Sequence, residues 1–509
     1  WKKTYSVSWG ASVRTVMRNG TPGIGGVMMM SGLNSINANA QPLIVIDGVP
    51  LDQQYGREML HDGFYNNILT NINPADISTK ELLEQTANFL IPIVTFSITD
   101  AILRYGLTRN YDKGKIFTSS YLVLGLGVCV MLALSPLMQL LPYTSGYLWL
   151  LMLYVFMSSL RSIHSQFVRA RGMVTLFAFD GILATITLFI FNVIFIALLN
   201  MGITGFLLSV ICSDFLSAVF LWWIADLRKY LHRKYISPKM TRLMIRFSIP
   251  LIPTTLLWLV TGFSDRLFLR YMDGPPNLVG DTAAGIYGIA SKLPNLISTV
   301  STVFYQAWNM SAILENDSAN RGHFYKQVFS AYESFLVIAS SVLIVFVRPF
   351  SDLLISTSTY TEYADAYRYT PILIISVFMM CLNQFFSSIY AASQHTSHSF
   401  WTSLVAAIVN LILNWLLIGA LGISGAGFAT FVSYLVSYLI RVVDTKRYVP
   451  FYIDHTRFVL NLILMFAMTF VTIQTPPAWH LIDGVLLIFT VLYNFRDLVS
   501  TVRRVLKRG

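Results

Sequence analysis

The hydropathy of the chain changes character near residue 79. Before it, polar residues, Gly and Asn follow one another with no apolar run of spanning length; beyond it, long apolar stretches recur to the C-terminus. About 20 apolar residues cross the ~30 Å hydrocarbon core as a helix. On that measure the pattern predicts thirteen spans, near 82–104, 116–138, 147–168, 173–199, 203–225, 245–270, 283–308, 328–347, 368–391, 400–419, 423–440, 457–473 and 480–496. Pro92, Pro250, Pro253 and Pro294 fall inside these stretches. Kinks are expected there, because spanning helices tolerate Pro where neighbours or cavity water satisfy the freed carbonyls.

Composition agrees with an integral membrane protein. Hydrophobic residues make up 55% of the 509 positions and charged residues 12%, against roughly 25% charged in a soluble domain; the mean hydropathy is +0.60. The net charge of +11 is a topology signal rather than a nucleic-acid footprint. In alternate connections, one set holds twenty-five Lys and Arg and the other only Arg270, Arg348 and Arg368. The positive-inside rule puts the first set, and the C-terminus, in the cytoplasm. An odd number of spans then leaves residue 80 outside, so a further helix before Leu82 is expected. The chain begins at Trp1 with neither an initiator Met nor a signal peptide. Cys129, Cys212 and Cys381 each lie in an apolar run, which argues against a disulfide framework or a metal site.

The chain also echoes itself. MGITGFLLSVICSDFLSAV from Met201 returns as LGISGAGFATFVSYLVSYL from Leu421, offset by 220 residues, with Asp214 aligned on Tyr434. Both copies follow an uncharged loop and run inward. Equal orientation implies a parallel repeat about an axis along the membrane normal, and hence two lobes. The division expected is 1–78 as a separate N-terminal segment, 79–240 as a first lobe of five helices, 241–455 as a second lobe of six, and 456–509 as two additional helices with a basic tail.

Charges inside the apolar stretches are the candidate chemistry, since a charge at mid-bilayer costs about 2.5–3.5 kcal/mol on insertion scales and so faces a partner, a cavity or a transport path. Asp265 and Arg266 sit in one such stretch and Lys292 in the next, which marks this pair of helices as a transporter's substrate site. Asp265 equally reads as a structural ion-pair partner of Arg266 or Lys292. Arg270 equally reads as a snorkelling interfacial residue. Asp180, Asp214 and Glu333 are intramembrane acids able to carry coupling protons or cations, with Ser and backbone contacts as the structural alternative for Asp214. The His395/His398 spacing alone is weak as a metal signal. No Gly-rich Walker motif is present, so the sequence offers no ATPase chemistry.

Two resemblances follow from particular stretches. SINANAQPLIVIDGVP, with a short strand pattern over Leu43–Ile46 closed by Asp47-Gly48, and the later INPADI resemble the plug domain of SusC-type TonB-dependent receptors, over roughly Gly20 to Ile77. No barrel of alternating strands follows, and the segment reads as a fusion or gene-assembly product more readily than as a periplasmic appendage. From about Thr79 onward, TANFLIPIVTFSITDAILRYG, RARGMVTLFAFDGI, PLIPTTLLWLVTGFSDRLFL and YGIASKLPNLISTVSTVFYQAW resemble the Wzx-type polysaccharide-biosynthesis flippases of the MOP superfamily.

That resemblance implies an all-α polytopic membrane protein, a MOP-type two-lobe helical bundle of about 13 transmembrane helices lacking the family's first, behind a small mixed α/β N-terminal fragment. It implies export of a polyprenyl-pyrophosphate-linked oligosaccharide, an O-antigen, capsule or exopolysaccharide unit, across the bacterial inner membrane by alternating access. Arg266, Arg270 and Lys292 are then the candidates for phosphate contact. Arg104, beside Asp100, matches a family position near the cavity but also suits anchoring at the cytoplasmic end of its helix. The resemblance implies no enzyme activity and no cofactor beyond a coupling H⁺ or Na⁺. The expected partners are lipid-linked oligosaccharide, membrane lipid and other polysaccharide-assembly proteins, with no nucleic acid. Two alternatives stay open: a cation-coupled multidrug exporter of the same superfamily, which would favour an acidic, aromatic cavity, and a polysaccharide polymerase or ligase, which would need a large extracytoplasmic loop with catalytic residues.

Overall fold

A computed structural model describes the backbone of 74–354 and 366–506, apart from 109, 140–143, 145, 273–274, 276–278, 317 and 319, together with seven short strands before residue 66. Among those strands Val45–Ile46 pairs antiparallel with Val49–Pro50. Apart from its short strands, the plug-like stretch through residue 73 lies outside the described residues.

The rest is helical. The helices are α1 (Pro74–Val94), α2 (Ile98–Leu107), α3 (Lys113–Met138), α4 (Leu148–Ala170), α5 (Val174–Asn192), α6 (Gly202–Ile224), α7 (Pro238–Ser248), α8 (Leu251–Tyr271), α9 (Asp281–Ala290), α10 (Lys292–Glu315), α11 (Arg321–Val345), α12 (Val347–Leu354), α13 (Thr370–Ala392), α14 (Thr396–Leu421), α15 (Ile423–Thr445), α16 (His455–Gln474) and α17 (Trp479–Leu506). Each predicted span has a helix or a broken helix pair over it. Nine helices among the described residues are long and apolar enough to cross a membrane, and ten if a bent pair counts as one span. The protein is a multi-pass, all-α membrane protein.

The breaks follow local chemistry. Pro92 has no N–H to give the preceding turn, and three residues later the chain bends by 48° between α1 and α2. Phe96 and Ser97 there adopt φ of 49° and 48°, a region costly for residues with a Cβ. On the neighbouring helix, a Cβ at Gly127 would lie 1.7 Å from the Val94 carbonyl oxygen, so only glycine lets α3 approach the bend. Pro250 separates α7 from α8. The stretch predicted as one span over 283–308 is broken at Ser291, three residues before Pro294.

The two copies of the sequence echo begin alike. Gly202 and Gly422 both have φ of 55°, open to glycine without penalty; Gly202 is the first residue of one 23-residue helix and Gly422 the N-cap of the other. Three positions on, a Cβ at Gly205 would meet the Phe195 carbonyl oxygen at 3.0 Å and one at Gly425 the Leu417 carbonyl oxygen at 2.4 Å. In both copies glycine lets the helix start against the end of the preceding one.

The chain divides into two compact units: 1–90, 131–158 and 181–217 form one, and 91–130, 159–180 and 218–509 the other. Within the second, α13 packs on α10, α11 and α15, α8 on α14, and α16 and α17 on α11. Hydroxyls and amides hold these helices together where lipid gives no hydrophobic drive between them. Arg457 of α16, for example, donates to Ser330 and Ser334 of α11 at 3.0 and 2.6 Å and to Asn494 of α17 at 2.9 Å.

Candidate functional site

Two polar clusters lie within the second unit. The first surrounds Asp265 on α8, which is 2% exposed. Its Oδ2 accepts from the Thr430 hydroxyl of α15 at 2.6 Å and from the Tyr287 phenol of α9 at 2.6 Å. Its Oδ1 accepts from the Asn414 and Asn410 amides of α14 at 2.7 and 3.4 Å. The Asn pair is itself braced: Ser264 donates to Asn410 Oδ1 at 2.7 Å, and Asn414 to the same oxygen at 3.2 Å. Four helices thus meet on one carboxylate through neutral donors. The carboxylate is hydrogen-bonded, yet its charge is not cancelled by the groups that touch it. The buried Asn414 Oδ1 has no hydrogen-bond partner among the described residues, so the cage also presents an unused acceptor.

The second cluster is cationic. Arg441 of α15 is fully buried. Its Nε donates to Thr402 at 3.0 Å, its Nη1 to the Asn383 carbonyl at 2.7 Å and Ser387 at 2.6 Å, and its Nη2 to Ser403 at 2.9 Å. The Trp258 and Tyr390 rings stand 5.8 and 5.9 Å away. All of these partners are uncharged. Arg169, near the end of α4 and 6% exposed, donates to Gln166 at 3.1 Å and to the Gln306 carbonyl of α10. It is near enough for its charge to act on Asp100 and on the Tyr305 phenol, which also feels Arg441. Arg104 on α2, 5% exposed, donates to Thr108 at 2.8 Å. Arg169 and Arg441, two buried guanidiniums whose charges both reach Tyr305, thus stand beside the single Asp100 carboxylate.

The other residues singled out by the sequence fall elsewhere. Arg266 and Arg270 on α8 are exposed, Arg270 with its guanidinium 5.4 Å from the Tyr271 ring, and Lys292 is exposed at the first position of α10. The charge of Arg266 nonetheless reaches the Tyr287 phenol of the Asp265 cage. Asp180 is buried against Arg161 at 3.5 Å. Asp214, in the first unit, accepts from the Ser158 hydroxyl. Glu333 is buried on α11. His395 and His398 engage Tyr448 and Asp444, and among the described residues no group of three or more His, Cys, Asp or Glu is placed to hold a metal.

Arg169 and Arg441 are missed when every cation outside the predicted spans is counted as loop charge; the structure continues α4 to Ala170 and α15 to Thr445. A signal was present, because Tyr434, Tyr438, Arg441 and Thr445 recur at helical spacing, and all are buried. Asn410 and Asn414 are four residues apart inside an apolar run, a spacing that puts two amides on one helix face.

Residues 85–309 match the family described as polysaccharide biosynthesis protein, and 277–416 match the MatE family. Together the two matches run from residue 85 to residue 416. The fold is that of solved transporters of the MOP superfamily. A multidrug-resistance MATE transporter of the superfamily, in an outward-facing conformation, aligns with a TM-score of 0.63 at 13% identity over 74% of this chain and 89% of that one. A superfamily transporter from Pyrococcus furiosus, described as having a binding pocket of reversed polarity, aligns with a TM-score of 0.62 at 13% identity, over 74% and 90%. Separately, 77 residues are 38% identical to the TonB-dependent receptor SusC of Bacteroides thetaiotaomicron; that match is 15% of this chain and spans 7% of the receptor's length. The body of the protein is a membrane transporter.

Proposed function

We propose that this transporter moves a polyprenyl-pyrophosphate-linked oligosaccharide, an O-antigen, capsule or exopolysaccharide unit, across the bacterial cytoplasmic membrane by alternating access, with its C-terminus inside. The observation that carries this reading is the pair of buried guanidiniums Arg169 and Arg441, whose hydrogen-bond partners are all neutral, beside the one Asp100 carboxylate. A pyrophosphate leaving water needs its hydration replaced, and Arg supplies planar, permanently charged donors suited to phosphate oxygens. The polysaccharide-biosynthesis match over 85–309 supports the same substrate class. Arg266, Arg270 and Lys292, exposed on α8 and α10, serve as an outer cationic contact for the head group in this account, and membrane lipid holds the polyprenyl tail.

Asp265 is the group we assign to coupling. An ion or proton that reaches its cage meets one negative charge surrounded by oxygens able to turn toward a cation: Thr430, Tyr287 and the two Asn side chains. H⁺ or Na⁺ would neutralise the carboxylate and change how strongly α8, α9, α14 and α15 are held together. Asp180, Asp214 and Glu333 are the further acids able to share this role. Other polysaccharide-assembly proteins are the natural partners of such an exporter.

A second reading, a cation-coupled multidrug exporter, draws on the MatE match over 277–416. The two are separated by complementation in a strain that lacks its O-unit exporter. With the lipid-linked substrate, Arg169→Gln should reduce surface polysaccharide at normal protein level, because one charged hydrogen bond is worth about 1.5–3 kcal/mol, roughly 10- to 150-fold in affinity. Unchanged polysaccharide, with a gain in resistance to cationic drugs, would favour the multidrug reading.

A further inference from the structure

Outside both clusters, an open groove of about 550 Å³ runs between α14 and α15. Its walls are apolar and turned outward: Trp401, Leu439 and Val443 are 61%, 51% and 65% exposed, with Val405 and Ile440 between them. One end is polar. There Asp444 accepts from the Tyr390 phenol at 2.9 Å and from His398 Nδ1 at 2.9 Å, while His398 Nε2 takes the Tyr448 hydroxyl at 3.0 Å. Arg447 reaches the second Asp444 oxygen only at 3.8 Å, with its side chain 73% exposed. Lys446 beside it is exposed as well.

We propose that this groove is a binding site for an anionic phospholipid, with one acyl chain along Trp401, Val405, Leu439 and Val443 and the phosphate at Arg447. Charge complementarity selects the occupant. Asp444 carries one negative charge at the mouth, whereas the exposed Arg447 lines the groove and the exposed Lys446 precedes it in sequence, so cations outnumber the acid there; each such residue near a membrane surface attracts anionic lipid. Behind the wall, Thr402 lines the groove and its hydroxyl is held by the fully buried Arg441, whose partners are all neutral; that charge adds a fixed positive field from a low-dielectric interior. Trp401 sits at the polar end, as indole rings do at headgroup level. A zwitterionic lipid fills the same apolar space without gaining from the cations.

The test is the melting temperature of the purified full-length protein in detergent with added phosphatidylglycerol, phosphatidylcholine or undecaprenyl phosphate. Phosphatidylglycerol should raise it more than phosphatidylcholine does. Arg447→Gln should remove that difference through charge, and Val443→Trp should remove it by filling the groove. Arg228→Gln, at an exposed cation paired with Asp226, should preserve it. Equal shifts from the two phospholipids, a difference that survives both groove substitutions, or its equal loss in Arg228→Gln would each overturn the proposal. Stabilisation by undecaprenyl phosphate without any by phosphatidylglycerol would assign the groove to a polyprenyl chain instead.

Discussion

The Thr430 hydroxyl donates to the Asp265 carboxylate at 2.6 Å and so ties α15 to α8 across 165 positions of sequence. The bond has two separable consequences. Thr430→Val keeps the shape and removes one donor, and interhelical hydrogen bonds in membrane proteins average about 0.6 kcal/mol with a maximum near 1.7. A stability loss within that range, read by thermal or denaturant unfolding in detergent, is expected.

Asp265→Asn keeps the volume and removes the charge. It should leave protein in the membrane while abolishing the dependence of transport on a Na⁺ or proton gradient, measured as the rate with and without an imposed gradient. Retention of full gradient dependence would move the coupling role to Asp180, Asp214 or Glu333.

Close approach at glycine gives a sharper stability test. Gly127→Ala would put a Cβ 1.7 Å from the Val94 carbonyl oxygen, whereas a Cβ at Gly262 would stand in open space. Gly127→Ala should lower the melting temperature by many degrees or prevent accumulation, because backbone cannot yield as a side-chain tip can. Gly262→Ala should be neutral or slightly stabilising, as helix propensity favours Ala by about 1 kcal/mol.

Orientation rests on the distribution of cations. In a background without Cys129, Cys212 and Cys381, Gln474→Cys should react with a membrane-impermeant thiol reagent added to intact cells, and Lys239→Cys should not. Both positions are exposed. Thr144, in the loop expected outside, is a poor probe because it is buried and bonded to the Met138 carbonyl at 2.6 Å. Labelling at 239 with protection at 474 would invert the topology.

Span positions were legible because length and apolarity fix them almost alone; the helices over 116–138 and 203–225 begin and end within three residues of the pattern. The echo was legible because Gly202 and Gly422 need a φ that glycine favours. The polar cages were not. Asp265 stood out as a charge, but its partners Tyr287, Asn410, Asn414 and Thr430 come from three other helices, and no local spacing says which helices meet. Arg441 was hidden differently: read as one of the cations following a span, it is instead the last buried turn of a helix running five residues past the predicted end at 440.

The central claim is that an anionic, lipid-linked head group is the cargo, and the direct measurement is translocation in proteoliposomes of the full-length protein. A fluorescent polyprenyl-pyrophosphate oligosaccharide should become accessible to a head-group-modifying enzyme on the opposite face at a rate well above protein-free vesicles. Arg169→Gln and Arg104→Gln should slow it roughly 10-fold or more, while Asp265→Asn removes its gradient dependence. Background rates for that substrate, together with gradient-driven movement of a cationic dye that the Arg substitutions leave untouched, would contradict the account.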